Sequence, residues 1–568
     1  MLKIMQRLGL APAARPVVVP LTPGEGMAAR KLKTALRARR QMLVQQRRGW
    51  APRLDIERVR FSLPFDWSQD PFRDQNWCSQ LNAWRPLDVA MAVYHFDGDR
   101  DAYQALADGM LDWARHEREA PPENGLWGDM VSGFRAAKLA FVLSQPAFET
   151  LTDDEKAGLV KLARAHLKRL RDPDFISSSN HALAQIHGLT ALVRVRPDLP
   201  ESRGGDAYIA EILTRALRRQ LGHEGVHLEH SPAYHFFALT AFSRILESGW
   251  HQATVLPEMV RRAEAALPWF ILPDRRISAI GDSAPVRKPH VTPAPEGRPY
   301  VSTLFAEAGY AIVRSDWDVP AARASMLIAT ASYHASTHKH ADDLSFELFE
   351  GGRRLIVDTG KCTYTKGDLK DFSKSARAHN VIELIEGRPD NGLKGRRRSG
   401  GGLRRLAEQD WGFLIEGELD LPRHEVRHGR RFLYRPGDWL VLLDEVAATD
   451  PRDLAAWLHL NPALEASPDP SGQGWRYEGG AIDYVCDAPF TLERVRGREE
   501  PRQGWMASGY HKLEPNDALA VRWRGANTRL ATVIRLRLDR PTPEIAIGPS
   551  GFAVSYDGKA LDPGASAS

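Results

Sequence analysis

The apolar positions change their period once along this chain. Between about residues 60 and 290 they recur at i, i+3, i+4 and i+7 in one segment after another. The segments are RDAYQALADGMLDWARHE, SGFRAAKLAFVLSQ, DDEKAGLVKLARAHLKRL, NHALAQIHGLTALVRV, AYIAEILTRALRRQLG, PAYHFFALTAFSRILESG and PEMVRRAEAALPWFIL. That spacing predicts amphipathic helices, and Asp, Ser, Pro and Gly stand where caps belong. Helices in succession without strands form a bundle, a solenoid or a closed α/α toroid; the absence of a fixed repeat counts against a regular solenoid. After KPHVTPAPEGRPYVS, residues 288–302, the period falls to two. AGYAIVRS, SMLIATASYH, SFELFE, RLIVD, NVIELIEG, FLIEGELDL, RRFLYRPGDWLVLLDEV, AAWLHL, AIDYVCDA, TRLATVIRLRL and FAVSYDG then read as strands separated by turn residues. The pattern predicts an α+β multidomain chain: a basic tail and helix over 1–55, a helical domain over 56–290, and antiparallel β-sheets stacked as a sandwich over 300–560.

Composition narrows the function classes. A chain of 568 residues exceeds one ordinary core, so about two or three domains are expected. Lys and Arg number 77 against 72 Asp and Glu, a formal charge of +5, which excludes a dedicated nucleic-acid binder and suits a polyanionic substrate. Cys78, Cys362 and Cys486 are too scattered for a disulfide framework or a CxxC metal site. No apolar run reaches the roughly 20 residues that span a bilayer. Prolines and arginines interrupt the one early apolar stretch, so no clear signal peptide is read and a periplasmic or a cytoplasmic location remains open. Residues 1–28 read as a poorly ordered tail, and residues 29–49 as a basic helix that suits a solvated face better than an acidic membrane surface.

The densest chemistry lies in Tyr333–Gly360, YHASTHKHADDLSFELFEGGRRLIVDTG. On an extended strand His338 and His340 would leave the backbone on one face, with Asp342 next in line and a hairpin turning at Gly351-Gly352 behind them. Three further spots stand out. Trp127 and Arg135 in WGDMVSGFR are candidate substrate contacts, Arg135 through a bidentate bond to a carboxylate; a buried helix ion pair is the competing reading. Asn180 and His181 follow three serines at a helix N-terminus, which favours an anionic ligand unless Asn180 serves only as the cap. Glu224, His227, Glu229, His230, Tyr234 and His235 crowd into twelve residues, with Tyr234 in the first turn of a helix opened by Pro232. His340, Asp358 and His379 supply two imidazoles and a carboxylate, a donor set suited to zinc.

These residues resemble the heparinase II/III-like polysaccharide lyases and related alginate lyases. The resemblance runs from about residue 60 to 560 and rests on NHAL at Asn180, SPAYH at Tyr234, the HxHxD segment ending in DTG, and AHN at His379, in that order. It implies an N-terminal (α/α) toroid followed by antiparallel β-sheets. It also implies β-elimination on a uronic-acid polymer. Asn180, helped by His181, would neutralise the substrate carboxylate, and Tyr234 and His338 would share the base and acid roles, in an order that depends on which faces C5 and O4 occupy. A structural zinc at His340, Asp358 and His379 is implied as well. Two other classes stay open: a glycoside hydrolase on the same toroid, using Glu224, Glu229 and Asp129, and a non-catalytic polysaccharide-binding protein of capsule assembly. HKHADD also approaches a metallo-β-lactamase signature, but Asp343 stands where histidine belongs and the alternating αβ pattern is missing.

Overall fold

The computed structural model describes residue 21 and residues 34–53, 56–119, 126–288, 292–334, 337–363, 367–385, 401–509 and 512–562. Residues 1–20 and 22–28 of the expected tail and the start of the basic helix lie outside the described residues. The helices are α1 Ala35–Arg48, α2 Gln75–Asn82, α3 Asp88–Asp97, α4 Arg100–Glu119, α5 Asp129–Ser144, α6 Asp153–Leu170, α7 His181–Val195, α8 Gly205–Leu221, α9 Pro232–Glu247 and α10 Leu256–Ala266, with α11 Asp368–Lys374 inside the β half. Their ends follow local chemistry. Thr152 and Glu155 form a reciprocal capping box on α6, and Gly98, at φ +66°, closes α3 in the left-handed region. No described helix is long and apolar enough to cross a membrane.

The compact units divide elsewhere than the proline-rich boundary expected at residues 288–302. One holds residues 1–219 and 241–257; the other holds 220–240 and 258–568. The reason is packing. Val226, Leu228, Ala266, Phe270, Leu272 and Ile280 are buried in one cluster with Tyr310, Ile312, Met326, Ile328 and Phe349 of the first β-sheet. Burying such side chains contributes about 1.5–3 kcal/mol each, so a segment that reads as helical in sequence is held by the sheet.

That sheet is β1 Tyr300–Phe305, β2 Tyr310–Ser315, β3 Ser325–Thr330, β4 Ser345–Glu350 and β5 Arg353–Ile356, antiparallel in chain order. β2, β3 and β4 are buried on both faces. Alternation sorts their residues into two cores. Tyr310, Ile312, Met326, Ile328 and Phe349 face the helical segment. Ala311, Val313, Leu327, Ala329, Phe346 and Leu348 face a ten-stranded antiparallel sheet. That sheet includes β6 Ile382–Leu384, β7 Gly401–Gln409, β8 Gly412–Leu421, β9 Val426–Arg435 and β10 Trp439–His459. WLVLLDEV and AAWLHL, expected as separate strands, form the single strand β10, paired with Asp517–Arg535 through an irregularity between Ala447 and Arg452. The far face of this sheet is covered by a three-stranded sheet that contributes Ile545, Phe552, Val554, Tyr556 and Leu561.

Candidate active site

In the second unit a turn, a loop and a helix start bring four ionisable side chains together. Residues 337–344 form turns, not the extended strand expected for His338-x-His340, and His338 takes φ +56°. A left-handed backbone at a non-glycine residue costs of order 1 kcal/mol and persists only where surrounding bonds hold it. Here one carboxylate gathers both imidazoles. Asp282 Oδ2 accepts from His338 Nδ1 at 2.6 Å, and its Oδ1 accepts from His340 Nε2 at 2.9 Å. Lys361 Nζ donates to the same Oδ2 at 2.9 Å. Burial would push the Asp282 carboxyl up, but the hydrogen bonds from His338 and His340 and the charges of His340 and Lys361 hold it well below the usual carboxylate range.

Tyr234 lies flat against His338, the ring centroids 3.5 Å apart with the planes 25° from parallel, and Lys361 Nζ stands 5.7 Å from the tyrosine ring. On the other edge of His338, Nε2 faces Glu229 Oε2 at 3.4 Å. Tyr234 sits in the first turn of α9, as its Pro232 start implies. That turn is anchored to the Asp282 loop: Ser231 Oγ and Ser283 Oγ are 2.8 Å apart, and Ala233 N donates to Ser283 Oγ at 3.1 Å. Gly281, at φ +61°, lets the loop approach so closely that a Cβ there would fall 2.2 Å from His230 O. From β4, Glu347 Oε2 accepts from Ser278 Oγ at 2.6 Å and Ala279 N at 2.9 Å, so the loop is braced from the sheet.

The three expected metal ligands do not form one set. His379 Nδ1 donates to Asp358 Oδ2 at 2.8 Å, and Asp358 Oδ1 accepts from Gly360 N, whereas His340 is bonded to Asp282. The two imidazoles remain neighbours, with centroids 5.2 Å apart. Buried His340 Nδ1, His379 Nε2 and Asp342 Oδ2 have no hydrogen-bond partner. Among the described residues no three His, Cys, Asp or Glu side chains form a ready-made cation cage. The donor chemistry fits zinc all the same: each histidine gives one N–H to a carboxylate and leaves its other nitrogen bare, the way ligating histidines are oriented.

The first unit carries the other expected residues. Asn180 is the residue before α7, yet its side chain makes no capping bond, so the cap-only reading fails. His181 opens α7, and its Nδ1 lies 3.0 Å from Oδ2 of Asp129, which opens α5. Burial alone would raise the Asp129 carboxyl, but the bonds from His181 and Met130 N lower it. α5 and α7 meet at backbone distance: a Cβ on Gly133 would lie 2.2 Å from Ala184 O, and one on Gly188 2.2 Å from Gly133 O. Arg135 does not match the expected substrate contact. It is fully buried; its Nη1 donates to Asn82 O at 2.7 Å and Leu126 O at 2.9 Å, and its Nε donates to His166. Trp84, Trp113 and Trp127 surround the guanidinium, and burial lowers its pKa to about 9. Nor is it an ion pair with a carboxylate. Trp127 is half-buried beside it and gives its indole N–H to Glu117 at 2.8 Å.

Of the carboxylates considered for hydrolysis, Glu224 is spent on the backbone N–H groups of Glu307 and Ala308. Asp282 and Lys361 escaped sequence reading. The available signal for Asp282 was the polar Gly281-Asp282-Ser283 directly after the apolar ISAI, between the two periodicities.

The chain thus combines a helical first half and stacked antiparallel sheets with a Tyr–His pair braced by a carboxylate in the second unit. The profile of the heparinase II/III N-terminus matches residues 51–296, and that of the heparinase II/III-like C-terminal domain matches residues 297–547. The chain therefore belongs to the heparinase II/III-like family. A heparin-sulfate lyase of Pedobacter heparinus is 23% identical over 372 residues, 57% of this chain and 54% of that protein. One of Bacteroides stercoris is 19% identical over 508 residues, 79% of this chain and 73% of that protein. The chain spans about half the length of the first of these. Among solved structures, a heparinase III superimposes with a TM-score of 0.67 at 16% identity, covering 99% of this chain and 96% of that one. A heparan sulfate lyase from Pedobacter heparinus gives 0.65 at 17%, covering 92% and 88%. These likenesses show the fold, an (α/α) toroid followed by a β-sandwich.

Proposed function

We propose that this protein is a polysaccharide lyase that cleaves a uronic-acid-containing anionic polysaccharide by β-elimination, leaving an unsaturated uronate end. The observation that carries the reading is the Tyr234–His338 pair braced by Asp282. β-Elimination needs a base for the C5 proton and an acid for the departing O4, and a phenol stacked on an imidazole supplies both. The Lys361 ammonium near the Tyr234 ring favours a developing phenolate. The C5 proton becomes removable only when the adjacent carboxylate is neutralised or hydrogen-bonded. Asn180, with an amide that is not consumed as a cap, has the chemistry for that task, and His181 is oriented by Asp129. The relatives' names, heparin-sulfate lyases, support a glycosaminoglycan-like polymer.

The test is the appearance of unsaturated-uronate absorbance with a panel of acidic polysaccharides, alongside Tyr234→Phe and His338→Ala. Cleavage that either substitution reduces by about 10²-fold or more supports the reading. New reducing ends without that absorbance would replace it with hydrolysis.

A structural zinc ion at His340 and His379 belongs to the same reading. Asp342, with its bare Oδ2, is the carboxylate that would complete the set, while Asp358 orients His379. Zinc would cross-link the HxH turn to the start of β6, and no proton transfer passes through it. Elemental analysis of the purified protein should find about one zinc per chain, and a chelator should lower the unfolding temperature. Metal-free protein with an unchanged unfolding temperature would remove the zinc.

A further inference from the structure

We infer that Asp282 is the positioning residue for His338: its carboxylate sets which ring nitrogen carries the proton and which is presented to the reacting substrate. The inference rests on the reading of His338 as an acid–base group.

The argument starts from what else holds the ring. Stacking against Tyr234 fixes the plane of the imidazole, with centroids 3.5 Å apart. A half-turn of the ring about its Cβ–Cγ bond would exchange each nitrogen for a carbon and leave the stacking unchanged. Glu229 Oε2 lies 3.4 Å from Nε2, too far to define the orientation. The one short bond is the 2.6 Å contact between Nδ1 and Asp282 Oδ2. A carboxylate only accepts, so Nδ1 must carry the hydrogen, and in the neutral ring Nε2 keeps its lone pair.

Asp282 is itself clamped. His340 Nε2 donates to Oδ1 and Lys361 Nζ shares Oδ2, so both oxygens are aimed before any substrate arrives. Its loop is tied down at the next residue, by Ser283 Oγ against Ser231 Oγ and by Lys361 N donating to Ser283 O at 2.8 Å. An orienting carboxylate behind a catalytic histidine, held by bonds of its own, is the logic of hydrolase triads, here beside a tyrosine.

The substitution Asp282→Asn keeps the shape and replaces one acceptor oxygen by a donor NH₂. Facing His338, that NH₂ would favour the opposite tautomer. The expected result is a kcat lower by about 10²–10⁴-fold with KM changed by less than about threefold, by analogy with orienting carboxylates elsewhere. The second measurement is made on the intact wild-type chain, with ¹⁵N-labelled histidine and His338→Gln to assign the signal. In the spectrum of the neutral ring, His338 should appear with hydrogen on Nδ1. A wild-type His338 protonated on Nε2, or an Asp282→Asn enzyme that keeps more than about a third of wild-type kcat, would overturn the inference. If no polysaccharide is cleaved, the lyase reading falls while the wild-type spectrum still decides the role of Asp282. That spectrum also stands alone if Asp282→Asn does not fold.

Discussion

Glu350 offers a quantitative test of how completely the second unit buries its sheet. It ends β4, where Ser325 Oγ donates to Oε2 at 2.6 Å and the Tyr434 hydroxyl donates to Oε1. Burial, opposed in part by the Ser325 and Tyr434 bonds, pushes its pKa from 4.5 up to about 7. A carboxyl with a raised folded pKa binds its proton more tightly in the folded state. The stability it supports is therefore fully present below about pH 4.5 and is lost as pH rises through about 7. Linkage with those two values gives a penalty of about 1 kcal/mol at pH 5 and about 3 kcal/mol at pH 8, a difference of about 2–3 kcal/mol. Glu350→Gln removes the charge, keeps an acceptor for Tyr434 and gives an amide N–H toward the rotatable Ser325 hydroxyl. Urea unfolding of both proteins at pH 5 and pH 8, followed by tryptophan fluorescence, isolates the residue, because groups common to both cancel. The variant should gain about 2–3 kcal/mol relative to wild type between the two conditions. An equal offset at both pH values would refute the reasoning, since it would mean that Glu350 ionises as freely in the folded chain as in the unfolded one.

Three further substitutions test the packing that holds the site residues. Gly188→Ala places a Cβ 2.2 Å from Gly133 O and 2.9 Å from Ala136 Cβ, so α5 and α7 must separate. Overpacking of about 1–3 kcal/mol outweighs the roughly 1 kcal/mol gained in helix propensity, and calorimetry should show a lower unfolding temperature. Arg135→Ala empties the tryptophan cage and strips donors from Asn82 O and Leu126 O. It should cost about 3–5 kcal/mol in urea unfolding, and protein that remains folded should keep its KM for polysaccharide. A raised KM with unchanged stability would restore the substrate-contact role. Phe270→Ala opens a cavity where the helical segment meets β2 and β3 and should cost about 3–5 kcal/mol. Stability within about 1 kcal/mol of wild type would show that this segment is not held by the sheet.

Sequence alone determined the two periodicities, the order of elements and the residue types available for chemistry. Period 3.6 and period 2 are imposed by the backbone, so α5, α6, α7 and β2 to β5 were legible from their own residues. Asn180 and Tyr234 were legible too, because a helix start announces itself locally through Ser, Asn and Pro. Tertiary structure decided what depends on distant partners. The HxH segment reads as a strand because alternation looks alike in any extended chain; it is a turn because Asp282, more than fifty positions earlier in sequence, binds both histidines. Arg135 suits a ligand contact or an ion pair by sequence because a guanidinium pairs with carboxylates, yet the cage of Trp84, Trp113 and Trp127 and two backbone carbonyls consume it. Compact packing crosses the proline-rich boundary because burial follows packing, and the apolar face of residues 226–280 packs on a sheet that starts at residue 300. Local geometry is written in neighbouring residues, whereas burial and hydrogen-bond partnership are properties of the folded chain.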